Sequence, residues 1–465
     1  MYQIDFSHPS RVYFAGIGGI SMSGLAEILA DAGFQVSGSD RVKSSLTQTL
    51  EARGISVFYG QRRENITDDI DCVVFTSAIH KDNPEYIAAH EKNIPCLTRA
   101  ELLGQIMKNY STPIAVSGTH GKTTTTSMIS EILLCADKDP TLSIGGMLKT
   151  IGGNIRVGKS GLFVTEACEY TNSFLSFFPK IGIILNIEED HLDFFKDIEE
   201  IRFSFHRFAR LLPADGALII NGDIPRLGEI IQGLSCRVIT FGAHSTGADG
   251  GPMDYYPSRI EHDEWGHPSF QLHSPGGCVR EFRLQVPGDH NVSNATAAAA
   301  LADLLGIDSA VTAKALLAFS GTDRRFEYKG KIGGVTIIDD YAHHPTEITA
   351  TLKAAENISH NTLWCVFQPH TYSRTRAFLK DFAQALCLAD KVVLADIYAA
   401  RETDTLGISS DTLKKEIEAL GHECFYFPSF DEIENFLLEN CTTGDLLITM
   451  GAGDVHKIGE TLLGM

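Results

Sequence analysis

PIAVSGTHGKTT (113–124) runs from an apolar, strand-sized stretch into a glycine-bounded turn and then a lysine–threonine pair that opens a helix. In that setting small residues free backbone N–H groups to wrap phosphate oxygens, a lysine reaches the β and γ phosphates, and a threonine hydroxyl binds Mg²⁺. Gly118, Thr119, His120, Gly121, Lys122, Thr123 and Thr124 are therefore read as a phosphate loop, with a helix over about 123–136. Val116 stands where the commoner form of the loop has its first glycine. A loop of this kind needs a strand before it and a helix after it, which points to an α/β fold.

The same succession of strand, turn and helix extends in both directions. Upstream lie RVYFAG (11–16), a helical stretch from about Ser21 to Ala32, FQVSGSD (34–40) and DCVVFTSA (71–78). Downstream come GLFVTEA (161–167), IGIILNI (181–187) and GALIIN (216–221), then GVTIIDDY (334–341), LWCVFQP (363–369), KVVLADI (391–397) and DLLITMGAGD (445–454). Runs apolar on both faces, alternating with helices, predict parallel sheets covered by helices. Breaks near 108–112 and 321–325 divide the chain into three α/β domains, 1–110, 111–322 and 323–465, while the Gly-, Pro-, Ser- and Asp-rich segment 243–281 reads as loops or short hairpins.

The composition narrows the function. The 465 residues carry 39 basic and 59 acidic side chains, a formal charge of −20, which disfavours non-specific nucleic-acid binding. No run approaches the roughly 18–20 apolar residues that span a bilayer, and the opening MYQIDFSHPSRVYF lacks a signal-peptide core, so a cytoplasmic protein without membrane insertion is expected. The ten cysteines are scattered and never form CxxC, as suits reduced thiols.

Further polar clusters stand where these strands end. Gly16, Gly18, Gly19, Ile20 and Ser21 form a glycine turn, with Asp40 ending the next strand; this suits a nucleotide diphosphate with its ribose on the acid, NAD being one reading. Glu166 and His191 are candidate metal ligands with Thr123, although His191 paired with Asp190 or Asp193 is an equal reading, and Glu169 is more ambiguous. Arg324 and Arg325 sit at the proposed hinge, where closure brings an arginine to a transferring phosphate. Tyr341, His343, His370 and Arg374 fall in two clusters at neighbouring strand ends, with Pro345 suited to a first helical turn. His290 and Asn294, spaced i,i+4, present a polar face to a flat base or serve as caps.

Taken in order, GIGGI with SGSD, GTHGKTTT, EACE, NIEEDHLD, HNVSNA, RRFE, DDYAHHPTEI, FQPH with YSRT, and GAGD resemble the Mur ligases of bacterial peptidoglycan synthesis over essentially the whole chain. DDYAHHPTE and FQPH select the alanine-adding type. The resemblance implies an N-terminal Rossmann-like domain for the UDP-sugar, a central P-loop ATPase-like domain with a parallel or mixed sheet, and a C-terminal Rossmann-like domain for the amino acid. It implies that the first glycine turn and Asp40 hold UDP rather than NAD. ATP falls to Lys122 and the loop amides, Mg²⁺ to Thr123 with Glu166 or His191, and adenine to His290 and Asn294. Arg324 and Arg325 would face phosphate or the muramyl carboxylate, and Tyr341, His343, His370 and Arg374 would line the meeting point with alanine. Ser21 replaces a common glycine, Cys168 stands where an Asp is frequent, and Thr371 stands where an Arg is frequent, which leaves the amino-acid carboxylate to Arg374. The helix IEEIRFSFHRFARLL (198–212) has no lysine, so no carbamate is expected.

The implied reaction joins the lactyl carboxylate of UDP-N-acetylmuramate to the amine of L-alanine, with ATP converted to ADP and phosphate, in a monomer or weak homodimer. A carboxylate is a poor electrophile and must first become an acyl phosphate, with charge neutralised at the phosphate by Mg²⁺, Lys122 and an arginine. His343 is a candidate acceptor for the amine's proton, substrate phosphate the alternative. A related ligase that attaches a peptide to the same sugar nucleotide is the nearest other reading. An oxidoreductase would use only the first glycine turn and Asp40, and a nucleotide-sensing module would not need the third-domain cluster.

Overall fold

The computed structural model describes residues 2–76, 79–400, 402–404 and 406–465. The last two residues expected for the run 71–78, Ser77 and Ala78, lie outside the described residues; its strand is Cys72–Phe75. Three α/β units follow one another along the chain. The first sheet is parallel, in the order Ser56–Tyr59, Gln35–Asp40, Arg11–Ala15, Cys72–Phe75, Cys96–Thr98. Its central strands are buried, as sequences apolar on both faces require.

The second sheet has seven strands with Thr112–Ser117 near its centre, flanked by Ile181–Ile184 and Leu162–Ala167. It is parallel except for the edge hairpin of Thr141–Leu148 and Gly153–Arg156, which sequence reading did not anticipate. The segment expected as loops or short hairpins holds two short hairpins in an antiparallel meander, Tyr256–His262, Pro268–Ser274 and Cys278–Arg283. The third sheet runs Glu327–Ile332, Val335–Asp340, Leu446–Met450, Leu363–Phe367, Lys391–Leu394, Cys424–Tyr426, with only the first strand antiparallel.

Two glycines let the first unit dock on the second. A Cβ on Gly24, in the helix Ile20–Asp31, would lie 1.9 Å from Ile155 Cγ1, and one on Gly104, in the helix Arg99–Met107, would lie 1.9 Å from Ser176 O. Only a residue without a side chain allows such contact. The helix Arg99–Met107 is itself fixed by a capping box, Thr98 accepting from Glu101 N while Glu101 accepts from Thr98 N. The third unit meets the second through the helix Pro345–Glu356, whose N-cap His344 precedes a proline at the first turn. No helix among the described residues is long and apolar enough to cross a membrane. All ten cysteines are free.

Candidate active site

Three cavities open at the carboxyl ends of strands in the three sheets. The first lies at the glycine turn. Gly16 N and Ile17 N donate to Ser39 O at 2.8 Å, and Asp40 accepts from Gly18 N at 2.8 Å and Arg41 N at 2.7 Å. Asp40 thus braces the turn while also lining, with Gly16, Gly19 and His80, a cavity of about 470 Å³. Ile20 is exposed, and its carbonyl accepts from Asn154 across the seam with the second unit. The Ser21 hydroxyl accepts from Arg99 Nη1 at 3.0 Å.

The phosphate loop joins the strand Thr112–Ser117 to the helix Lys122–Cys135. Gly121, at φ 81°, turns the chain into the helix, and an added Cβ would lie 2.6 Å from Asn294 Oδ1. Asn186 clasps the loop by accepting from His120 N at 2.8 Å and donating to His120 O at 3.1 Å, and Thr119 Oγ1 accepts from Glu188 N at 2.9 Å. Lys122 Nζ is folded back onto the carbonyls of Gly118 and Thr119 and onto Glu169 Oε2 at 3.2 Å. Burial opposes its charge, but the Glu169 carboxylate outweighs burial and the ammonium is held more firmly than usual.

Glu166 accepts from Gly145 N at 2.6 Å, and the Thr123 methyl faces Gly146, the next residue. His191, at φ 54°, stacks on Tyr170 with ring centroids 4.5 Å apart. Its Nε2 is 3.9 Å from Glu169 Oε1 and 3.8 Å from Asp190 Oδ2. Burial lowers the His191 pKa against the pull of those two acids, keeping a neutral ring with a lone pair. Glu169 Oε1 is buried and accepts no hydrogen bond. Such an orphaned anionic oxygen beside a neutral imidazole fits a hard divalent cation.

Between the second and third units lies a cavity of about 250 Å³, with His120, Gly121, Thr124, His290, Asn294 and Arg325 among its walls. Asn294 is buried on the helix Asp289–Leu304, its Nδ2 donating to Asn291 Oδ1 at 3.1 Å. The two hinge arginines part company. Arg325 reaches this cavity, whereas Arg324 donates to Asp339 Oδ2 at 3.0 Å and Gly451 O at 2.7 Å and does not line it. Both guanidinium groups lie 5.0 Å from the ring centroid of Tyr341.

A third cavity, about 420 Å³, is walled by Tyr170, Asp190 and His191 on one side and His370, Arg374 and Glu402 on the other. Arg374 Nη1 is 2.9 Å from His370 Nδ1. His343 stands behind His370, rings 5.6 Å apart, its Nδ1 3.0 Å from Tyr341 O and its N–H donating to Glu347. Burial pushes the His343 pKa down to about 3 despite the Glu347 carboxylate, so the ring is neutral and weakly basic.

Several site residues had no role in the sequence reading. Glu347 accepts from both His343 N and the His120 ring, at 3.1 Å each. Thr346 donates to Glu188 at 2.6 Å, and His344 Nε2 is 3.0 Å from Glu189 O. Glu169, left ambiguous in the sequence three residues after Glu166, is the ion-pair partner of Lys122.

Family models match residues 11–111 (Mur ligase family, catalytic domain), 116–302 (Mur ligase middle domain) and 324–453 (Mur ligase, glutamate ligase domain). The chain is 60% identical over 463 residues to a UDP-N-acetylmuramate–L-alanine ligase of Agathobacter rectalis, covering 100% of both chains. Among solved structures it is similar to a UDP-N-acetylmuramate–alanine ligase of Thermotoga maritima, with TM-score 0.80 at 29% identity over 98% of each chain. A murein peptide ligase of Psychrobacter arcticus follows at TM-score 0.71 and 25% identity, again over 98% of each chain.

Proposed function

The chain belongs to the Mur ligase family, and from that premise we infer that it joins L-alanine to UDP-N-acetylmuramate, with ATP converted to ADP and phosphate, in peptidoglycan precursor synthesis. The observation that carries this reading is a set of three cavities: one at the glycine turn beside Asp40, one beside the phosphate loop with His290, Asn294 and Arg325, and one between His191 and Arg374. A sugar nucleotide, a triphosphate and an amino acid each have a place. The 60% relative supports alanine as the amine in preference to a peptide.

In this reading the domains are 1–110, 111–322 and 323–465. The triphosphate lies between the phosphate loop and His290, Asn294 and Arg325. Thr123, Glu166 and His191 would hold Mg²⁺, which when bound neutralises phosphate oxygens. The lactyl carboxylate attacks the γ-phosphorus and ADP leaves, with Lys122 on the transferring charge. The alanine carboxylate is met by Arg374 and His370. Its neutral amine attacks the acyl carbon, a tetrahedral intermediate forms, and phosphate departs. The amine's proton passes to a phosphate oxygen, because an imidazole as weakly basic as His343 retains it poorly. His343 positions His370. Contact between the second and third units excludes water from the acyl phosphate. The enzyme works in the cytoplasm as a monomer or weak homodimer.

The test is one incubation with UDP-N-acetylmuramate, ATP and each amino acid in turn, read by product mass. A product with L-alanine, formed with stoichiometric ADP, supports the reading. Coupling only of a preformed peptide, or none, rejects it.

A further inference from the structure

Arg99 is the first residue of the helix Arg99–Met107, at the seam between the first and second units. Nη1 donates to Ser21 Oγ at 3.0 Å, and among the described residues no carboxylate lies within ion-pair distance of the guanidinium. Crowding by protein atoms lowers its pKa, and the groups that counter this are Cys168 and Glu166. A half-buried guanidinium that meets one hydroxyl and no carboxylate keeps donors free for an arriving anion.

We propose that Arg99 receives the carboxylate of the acid substrate, holding it between the glycine turn and the phosphate loop. Ser21 lies on the glycine turn and Glu166 at the end of the strand that pairs with the one leading into the phosphate loop, and Arg99 is within the influence of both. The carboxylate must approach a triphosphate with Glu166 and Glu169 nearby, and a fixed cation lessens that repulsion. Ser21 occupies one arm of the guanidinium and leaves the others for carboxylate oxygens.

This inference rests on the ligase reading, and the test separates the two. Binding of UDP-N-acetylmuramate and of UDP-N-acetylglucosamine, which lacks the lactyl acid, is measured by calorimetry on the full chain and on R99M and R99K. Wild type binding neither nucleotide rejects the ligase reading itself. If Arg99 holds the acid, R99M weakens UDP-N-acetylmuramate by about tenfold to a hundredfold and leaves UDP-N-acetylglucosamine unchanged. R99K gives a smaller loss of the same selectivity. Equal losses for both nucleotides, or none, overturn the assignment. Should R99M fail to fold, R99K decides by the same criterion.

Discussion

Arg374 of the third unit donates through Nε and Nη2 to one oxygen of Asp190 in the second, at 3.1 and 2.8 Å, and both side chains are nearly sealed from solvent. Although burial works against ionisation, Arg374 holds the Asp190 carboxyl well below the usual carboxylate range. The pair fastens the wall of the amino-acid cavity across two domains.

Removing the acid strands a buried cation at a cost of about 3–5 kcal/mol. Asp190→Ala should therefore loosen the closed arrangement, seen as a larger radius in small-angle scattering and a rise of at least about tenfold in KM for L-alanine. Unchanged values in both would deny the pair a part in closure.

Lys122→Ala should abolish acyl phosphate formation, with a loss of at least about a thousandfold in turnover. UDP-N-acetylmuramate affinity should stay within about twofold. Hydroxylamine trapping of the acyl phosphate reads the first quantity and calorimetry the second.

His343→Asn should slow amide formation more than acyl phosphate formation, measured by rapid quench. With its pKa near 3, His343 should leave no inflection in the kcat profile between pH 5 and 9. An inflection near 6.5 that disappears in the variant would restore it as the proton acceptor. Because its folded pKa lies below the unfolded value of about 6.5, its contribution to stability is lost as pH falls from about 6.5 toward 3.

His120 titrates in the opposite sense. Burial would favour its neutral form, but the carboxylates of Glu347 and Glu188 raise its pKa to about 9. A raised folded pKa means stability complete below about 6.5 and lost as pH climbs through 9. Thermal unfolding should show a falling midpoint across that window, and His120→Asn should flatten it.

The sheets were legible because their strands are short runs of buried residues separated by helices, a pattern that local sequence carries. Lys122 was legible for the same reason: strand, loop and helix are contiguous. Partnership across domains was not. Asp190 and Arg374 are 184 residues apart, and His120 and Glu347 are 227 apart, so no spacing rule connects them. Arg99 reads as an ordinary helix-start residue until the seam closes around it. Arg324 and Arg325, adjacent in sequence, were read as one unit, yet Arg324 is engaged by Asp339 and Gly451 O while Arg325 lines the cavity beside the phosphate loop. The strands Thr141–Leu148 and Gly153–Arg156 were missed because glycines interrupt their apolar pattern.

Lys122, wrapped on its own loop carbonyls and on Glu169, has three acceptors within the protein. An arriving triphosphate must trade places with an internal counter-ion. Electrostatic attraction toward this lysine is thereby blunted, and the rate of nucleotide capture should respond only weakly to ionic strength.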